Sequence, residues 1–271
     1  VFNDWRSLNK LIKKIDTNLK NKFNEVQVLI VNDNSSQKPK ISINKYSCIK
    51  KIEILNLSEN VGSQKAIAMG LLYLKKSKGD SIITIMDSDG EDDPKQVPIM
   101  INQAMKNSQY VITSNRKSRK ESRLIIFLYK LHLILTFLTC FKWISFGNFS
   151  SFHKKNLSSL LKDDSAFYAI SSAIIKNCSI KREYAKRKKR YFDKSKLGLG
   201  SLIEHSLRVN TVFFKNIFFN SLMYILFTFL FLPKTALIFI FWLLLIFNFL
   251  ILFIKFKHKK NNISFIKKKI L

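Results

Sequence analysis

Apolar positions recur at two different periods over roughly the first 120 residues. Leu8, Leu11, Ile12, Ile15 and Leu19 fall three and four apart, the spacing of one helix face. The β-branched run 26–31 predicts a short strand that ends at Asn32 and Asp33. Residues 52–57 predict a second strand. Residues 62–78 predict a helix buried through Ala66, Ile67, Met69, Gly70, Leu71 and Leu74. Strands at 81–86 and 109–114 follow, with a helix opened between them by Pro94, where a missing N–H costs nothing. This alternation predicts an α/β fold with a parallel sheet covered on both faces. Such sheets bind ligands beyond the carboxyl ends of their strands. The polar clusters 32–36 and 87–93 fall at two of those ends.

The pattern then changes. Residues 124–143 are apolar but include Lys130, His132 and Lys142, which predicts an amphipathic or membrane-surface helix rather than a spanning one. The densely basic stretch 181–196 reads as loop or helix surface. Residues 217–232 are apolar, interrupted by Asn220 and Ser221, and Pro233 and Lys234 break the run. Residues 235–254 carry no charge over a length that reaches across about 30 Å of hydrocarbon. A transmembrane hairpin is predicted. Basic residues flank it on both sides, at 181–208 and 255–269, so both flanks are expected in the cytoplasm and the Pro233 turn outside.

Composition changes the picture in three ways. The formal charge of +29 invites a nucleic-acid partner. No RNP, zinc-finger or helix-turn-helix signature accompanies it, and the basic residues gather beside apolar segments. Anionic lipid headgroups are the better match. Cys48, Cys140 and Cys178 form no CxxC pair, which argues against a disulfide framework or a zinc site. His132, His153, His205 and His258 show no metal-ligand spacing. The chain begins at Val1 rather than Met and reads as lacking a few N-terminal residues.

The strongest chemical signal is the run from Ile85 to Pro94, in which a strand leads into Asp87-Ser88-Asp89-Gly90-Glu91-Asp92-Asp93. Carboxylates at a sheet's carboxyl edge suit Mg²⁺ or Mn²⁺, ions that take a few carboxylates plus substrate phosphates. Such an ion would act as a Lewis acid on a departing diphosphate. Acidic turns and helix caps produce the same bare pattern.

The order of motifs resembles the family 2 glycosyltransferases over residues 1–207. Phe2-Asn3-Asp4 is similar to the family's opening Tyr-Asn-Glu, and Val31-Asn32-Asp33-Asn34-Ser35 to its Val-Asp-Asp-Gly-Ser. Asn60-Val61-Gly62 with Ala66 and Gly70 resembles its Asn-x-Gly…Ala…Gly stretch. The segment 87–94 with Pro98 resembles its Asp-Ala-Asp-Leu-Gln-Asp-Pro-Pro. Phe146-Gly147-Asn148-Phe149 and residues 191–199 are similar to stretches of members that act on polyprenyl phosphates, the dolichyl-phosphate mannosyltransferase-like branch.

The resemblance implies a GT-A fold, Rossmann-like with a mostly parallel sheet, over 1–207. Two transmembrane helices over 208–255 and a basic cytoplasmic tail over 256–271 would follow. It implies that Asn3, Asp4, Asp33 and Asp87 bind the nucleotide-sugar, and that Asp89 and Asp87 hold Mg²⁺ or Mn²⁺. Asp89 is the leading catalytic residue, with Asp92 and Arg116 as further candidates. Arg187, Arg190 and Lys196 would meet a lipid phosphate. Asp4, Asn32, Asn34 and Asn148 depart from the family's usual residues. The expected reaction is an inverting transfer to a membrane-embedded acceptor, favoured as a polyprenyl phosphate, at the cytoplasmic face of a membrane, bacterial inner membrane being favoured. A hydroxyl of a lipid-linked or surface glycan is the alternative acceptor, for which Asp163 and Asp164 are the nearest downstream candidate bases. A non-catalytic membrane scaffold is the alternative from another class.

Overall fold

The structure, a computed structural model, describes residues 1–39, 41, 46–116, 123–192 and 198–259, and the backbone of 265–270. The chain divides into two compact units. One comprises Val1–Arg119, Phe146–Ser195 and Lys260–Leu271; the other comprises Lys120–Ser145 and Lys196–Lys259.

The first unit begins with α1 (Trp5–Leu19), whose Trp5, Leu8, Leu11, Ile12 and Leu19 are all buried. Each such side chain contributes roughly 1.5–3 kcal/mol by leaving water. β1 (Val26–Asn32) and β2 (Ile49–Leu57) pair in parallel, from Val26 opposite Ile49 to Asn32 opposite Asn56. The carboxylate of Asp16, on α1, accepts the backbone N–H groups of Ser47, Cys48 and Ile49 at 2.9, 2.9 and 3.2 Å. That clip fixes the start of β2. α2 (Ser63–Lys76) packs on β1 so closely that a Cβ at Gly70 would stand 2.7 Å from the Val31 side chain. β3 (Ile82–Ile85), α3 (Val97–Lys106) and β4 (Tyr110–Arg116) follow.

β5 (Phe146–His153) lies between β3 and β4 and runs antiparallel to both. After it come three short helices, α5 (Leu157–Leu160), α6 (Ser165–Tyr168) and α7 (Ile170–Asn177), and then β6 (Ser179–Ala185), parallel to β4. The strand orders are therefore β3-β5-β4-β6 in one sheet and β1-β2-β7 in the other. β7 (Phe265–Ile270) runs antiparallel along β2.

The α/β expectation holds, but the pairing is mixed rather than mostly parallel. β5 was invisible as a strand because serines stand where apolar residues would be expected. Ser150 and Ser151 are fully buried, and Ser151 Oγ meets Thr84 Oγ1 at 2.7 Å across the pair. β6 corrects the loop or helix expected from 181 onward: its consecutive charged residues Lys181, Arg182 and Glu183 lie on an edge strand, where none of them is fully buried.

The second unit contains α4 (Arg123–Cys140), α8 (Leu199–Thr211), α9 (Phe214–Phe231) and α10 (Lys234–Lys257). α4, α9 and α10 are each long and apolar enough to cross a membrane. Their polar residues bond between helices. Ser206 Oγ meets His132 Nδ1 at 2.6 Å, Asn210 donates to Thr136 Oγ1 at 3.2 Å, Asn220 donates to the Thr139 carbonyl at 2.9 Å, and Asn248 donates to Ser221 Oγ at 2.8 Å. The interruptions Asn220 and Ser221 are thus interhelical contacts, the arrangement that polar groups on a spanning helix would need. Outward-facing Phe229, Phe239 and Phe249 are about two-thirds exposed, a surface suited to hydrocarbon.

Candidate active site

The carboxyl ends of β1 and β3 both carry acidic residues in the first unit. Asp33 follows β1 and is buried. Its carboxylate accepts from Val61 N–H at 2.8 Å and Gly62 N–H at 3.0 Å. Gly62, with φ of +81°, is the N-cap of α2, so Asp33 supplies the negative charge that a helix N-terminus favours. Burial pushes the Asp33 carboxyl upward against these two N–H groups. Neighbouring Asn32 accepts from Ser35 N–H at 3.1 Å and donates to Asn56 at 2.7 Å, a donation that a carboxylate there could not make.

Asn3 has φ of +49°, a conformation Asn tolerates. Its Oδ1 accepts from Gln37 N–H at 3.1 Å and Ser36 Oγ at 3.2 Å, and its N–H donates to Ser35 Oγ at 3.0 Å. The first loop and the loop after β1 are thereby sewn together. Asp4 precedes α1 and is largely buried.

Beyond β3, the chain turns through Asp87–Asp93. Asp89 Oδ1 accepts from Glu91 N–H at 2.9 Å, and Gly90 takes φ of +82°. Asp87 accepts from Asn148 Nδ2 at 3.1 Å. Asp92 Oδ2 accepts from Asp87 N–H at 3.4 Å, which turns it toward the loop's own backbone. The Asp89 carboxyl is pushed up to about 6, first by burial and then by the charge of Asp87, against the opposing pull of Arg190 and Arg187.

The segment 186–192 lies along this acidic loop. Lys188 N–H donates to the Glu91 carbonyl at 2.8 Å and Tyr191 N–H to the Asp89 carbonyl at 3.0 Å. Arg187 pairs with Glu91, and Lys188 with Asp93 at 3.3 Å. Arg190 forks: Nη2 is 3.1 Å from Asp4 and Nη1 is 3.4 Å from Asp89. Arg187 and Arg190, expected at a lipid phosphate, here pair with Glu91 and with Asp4 and Asp89 respectively. Sequence reasoning missed that convergence because the partners lie about 100 or more residues apart. Lys196 lies outside the described residues. Arg116 ends β4, and its side chain also lies outside them.

Among the described residues, no three His, Cys, Asp or Glu side chains form a ready cage for a metal ion. The Asp87–Asp89 pair nevertheless suits a divalent cation, because two neighbouring carboxylates, one largely buried, are relieved by positive charge. Mg²⁺ in particular takes one or two carboxylates and draws its other ligands from phosphates and water. Asp163, a candidate base, accepts from Ser165 N–H at 2.9 Å and pairs with Lys176 at 2.8 Å. Burial would raise its carboxyl, but Lys176 and Ser165 outweigh that and hold it well below the usual range. A proton acceptor needs the opposite.

The family model "Glycosyl transferase family 2" matches residues 1–187. A curated relative, dodecaprenyl-phosphate galacturonate synthase of Rhizobium johnstonii, is 25% identical over 123 residues. That match covers 45% of this chain and 35% of the relative.

Proposed function

This chain belongs to glycosyl transferase family 2, and from that membership we infer that it moves a sugar from a nucleotide diphosphate donor to a polyprenyl phosphate held in a membrane. The observation that carries the reading is the Asp87–Asp89 pair at the carboxyl end of β3, with Arg190 bridging Asp89 to Asp4. The curated relative's name, with its dodecaprenyl phosphate, supports the acceptor class.

In this reading Asn3, Asp4 and Asp33 shape the nucleotide cleft. Asp89 and Asp87 hold Mg²⁺ or Mn²⁺, which when bound supplies Lewis-acid stabilisation of the departing diphosphate. Asn148 orients Asp87. A phosphate acceptor is already anionic and attacks without a strong base, which fits a site whose downstream acid, Asp163, is tied to Lys176. Direct attack on the sugar carbon gives inversion.

Two strand pairings support a cytoplasmic, hairpin-anchored arrangement. α4 leaves β4 and returns to β5, and those strands are hydrogen-bonded, Thr113 standing opposite Ser150. One crossing by α4 would put paired strands on opposite sides of the membrane, so α4 fits the membrane surface despite its apolar length. α9 and α10 cross twice, which returns the chain to the side from which β7 pairs with β2. The basic flanks then set that side as cytoplasmic.

The test is nucleotide release by membranes carrying the protein, screened across nucleotide-sugars with Mg²⁺ or Mn²⁺, with and without a short polyprenyl phosphate. Release should require metal and lipid and vanish in Asp89→Asn. Release that requires a glycan instead would replace the acceptor, and no release with any donor would overturn the catalytic reading.

A further inference from the structure

Arg190 sits on a segment built to stay where it is. Two backbone hydrogen bonds tie 188 and 191 to the acidic loop. The Tyr191 ring lies against Gly90, where a Cβ would overlap it. On the other side, Arg6 stacks 3.8 Å from the Phe192 ring centroid, and Lys14 lies 4.7 Å from that of Tyr191. The backbone around Arg190 is therefore anchored at both ends while its side chain has several rotatable bonds.

That side chain is divided between two functions. Its terminal nitrogens reach Asp4 and Asp89, so the guanidinium contacts an oxygen that a divalent cation would use. Among the described residues, its Nε is buried with no hydrogen-bond partner, and the same holds for the hydroxyl of Tyr191. Buried donors left unpaired are costly, and a guanidinium and a phenol are the groups that take phosphate oxygens.

We propose that Arg190 is an exchangeable counter-charge, which neutralises Asp89 and Asp4 until a divalent cation takes Asp89, and then turns its guanidinium to the donor's diphosphate. Resting on the metal-dependent reading above, this makes the cation and the diphosphate bind as a coupled pair. Arg190 opposes the cation alone and favours the cation with its diphosphate.

The experiment measures Mn²⁺ affinity of the full chain in detergent by electron paramagnetic resonance, and then inorganic pyrophosphate affinity at saturating Mn²⁺. In Arg190→Gln, Mn²⁺ alone should bind about tenfold more tightly, and pyrophosphate on the Mn²⁺-loaded protein about tenfold more weakly. A merely structural residue would weaken both. Arg190→Lys keeps the charge but not the fork. It should fall between the two and carries the same test if the glutamine variant does not fold. Mn²⁺ affinity that is unchanged or weaker in the variants, with Mn²⁺ still bound by the wild type, overturns the exchange alone. Absence of Mn²⁺ binding in wild type and variants alike overturns the metal reading and the exchange with it.

Discussion

Asn148 donates from Nδ2 to the Asp87 carboxylate at 3.1 Å, across 61 residues of sequence. Its own Oδ1 accepts from Gln64 Nε2 at 3.1 Å, and Gln64 Oε1 accepts from Ile170 N–H at 2.9 Å. A chain of amides thus runs from the start of α7 through α2 and β5 to the acidic loop. An amide at 148 can donate to Asp87, whereas an ionised aspartate there would repel it. Asn148→Ala should lower kcat/KM for nucleotide release roughly 10- to 100-fold, the loss of one hydrogen bond to a charged group. Steady-state kinetics beside a thermal melt within a few degrees of wild type would check it. Unchanged kinetics would remove Asn148 from the site.

Gly90→Ala should be costly twice over, through φ of +82° and through overlap with the Tyr191 ring. About 2 kcal/mol or more is expected, read as a lower unfolding midpoint in denaturant. Adding Tyr191→Ala should restore part of it, because the overlap goes while the backbone strain stays. If the second substitution restores nothing, the ring contact is not what constrains this glycine.

Asp16→Ala should remove about 3 kcal/mol, since three backbone N–H groups at the start of β2 lose a charged acceptor. The pH dependence has a definite sign. Burial raises the Asp16 carboxyl, but the N–H groups of Ser47, Cys48 and Ile49 and the Cys48 thiol outweigh it, and the folded value lies below the usual one. A depressed carboxylate contributes stability above its unfolded pKa and loses it as pH falls through the folded value. Wild-type stability should therefore drop on acidification below about pH 4, and the variant should lose less over that window. Parallel acid titrations of the two proteins would disprove the clip.

Membrane topology offers an independent check. Single cysteines at Asn107, Lys234 and Lys259, in a background without the three native cysteines, should behave differently toward an impermeant maleimide. Only position 234, at the turn of the hairpin, should react from outside intact cells. Labelling at 107 or 259 from outside would reverse the orientation. Protection of all three until the membrane is opened would mean that α9 and α10 do not cross.

Much of this was legible in the chain. Apolar periodicity located α1, α2 and the first four strands to within a few residues, because each buries one face and burial imposes a period. The uncharged run before Lys255 marked α10, since a helix apolar all round over that length has the composition of a membrane span. The acidic run after Ile85 marked the loop at the end of β3, because carboxylates at a strand's end are a local feature. The order of motifs was enough to suggest the family.

Tertiary structure decided what local pattern does not encode. Serine-rich β5 is a strand because its neighbours on both sides supply the pairing, and the sheet is mixed for that reason. Charged β6 and β7 are strands because β4 and β2 offer open edges. Arg190 faces Asp4 and Asp89 rather than solvent because the chain returns over the acidic loop about a hundred residues later. α4 has the composition of a membrane span and follows β4 and precedes β5, two strands that pair with each other, Thr113 opposite Ser150, 37 residues apart in sequence. Periodicity reports which face of an element is buried. Which elements meet, and which charges are thereby neutralised, is fixed only when the chain closes on itself.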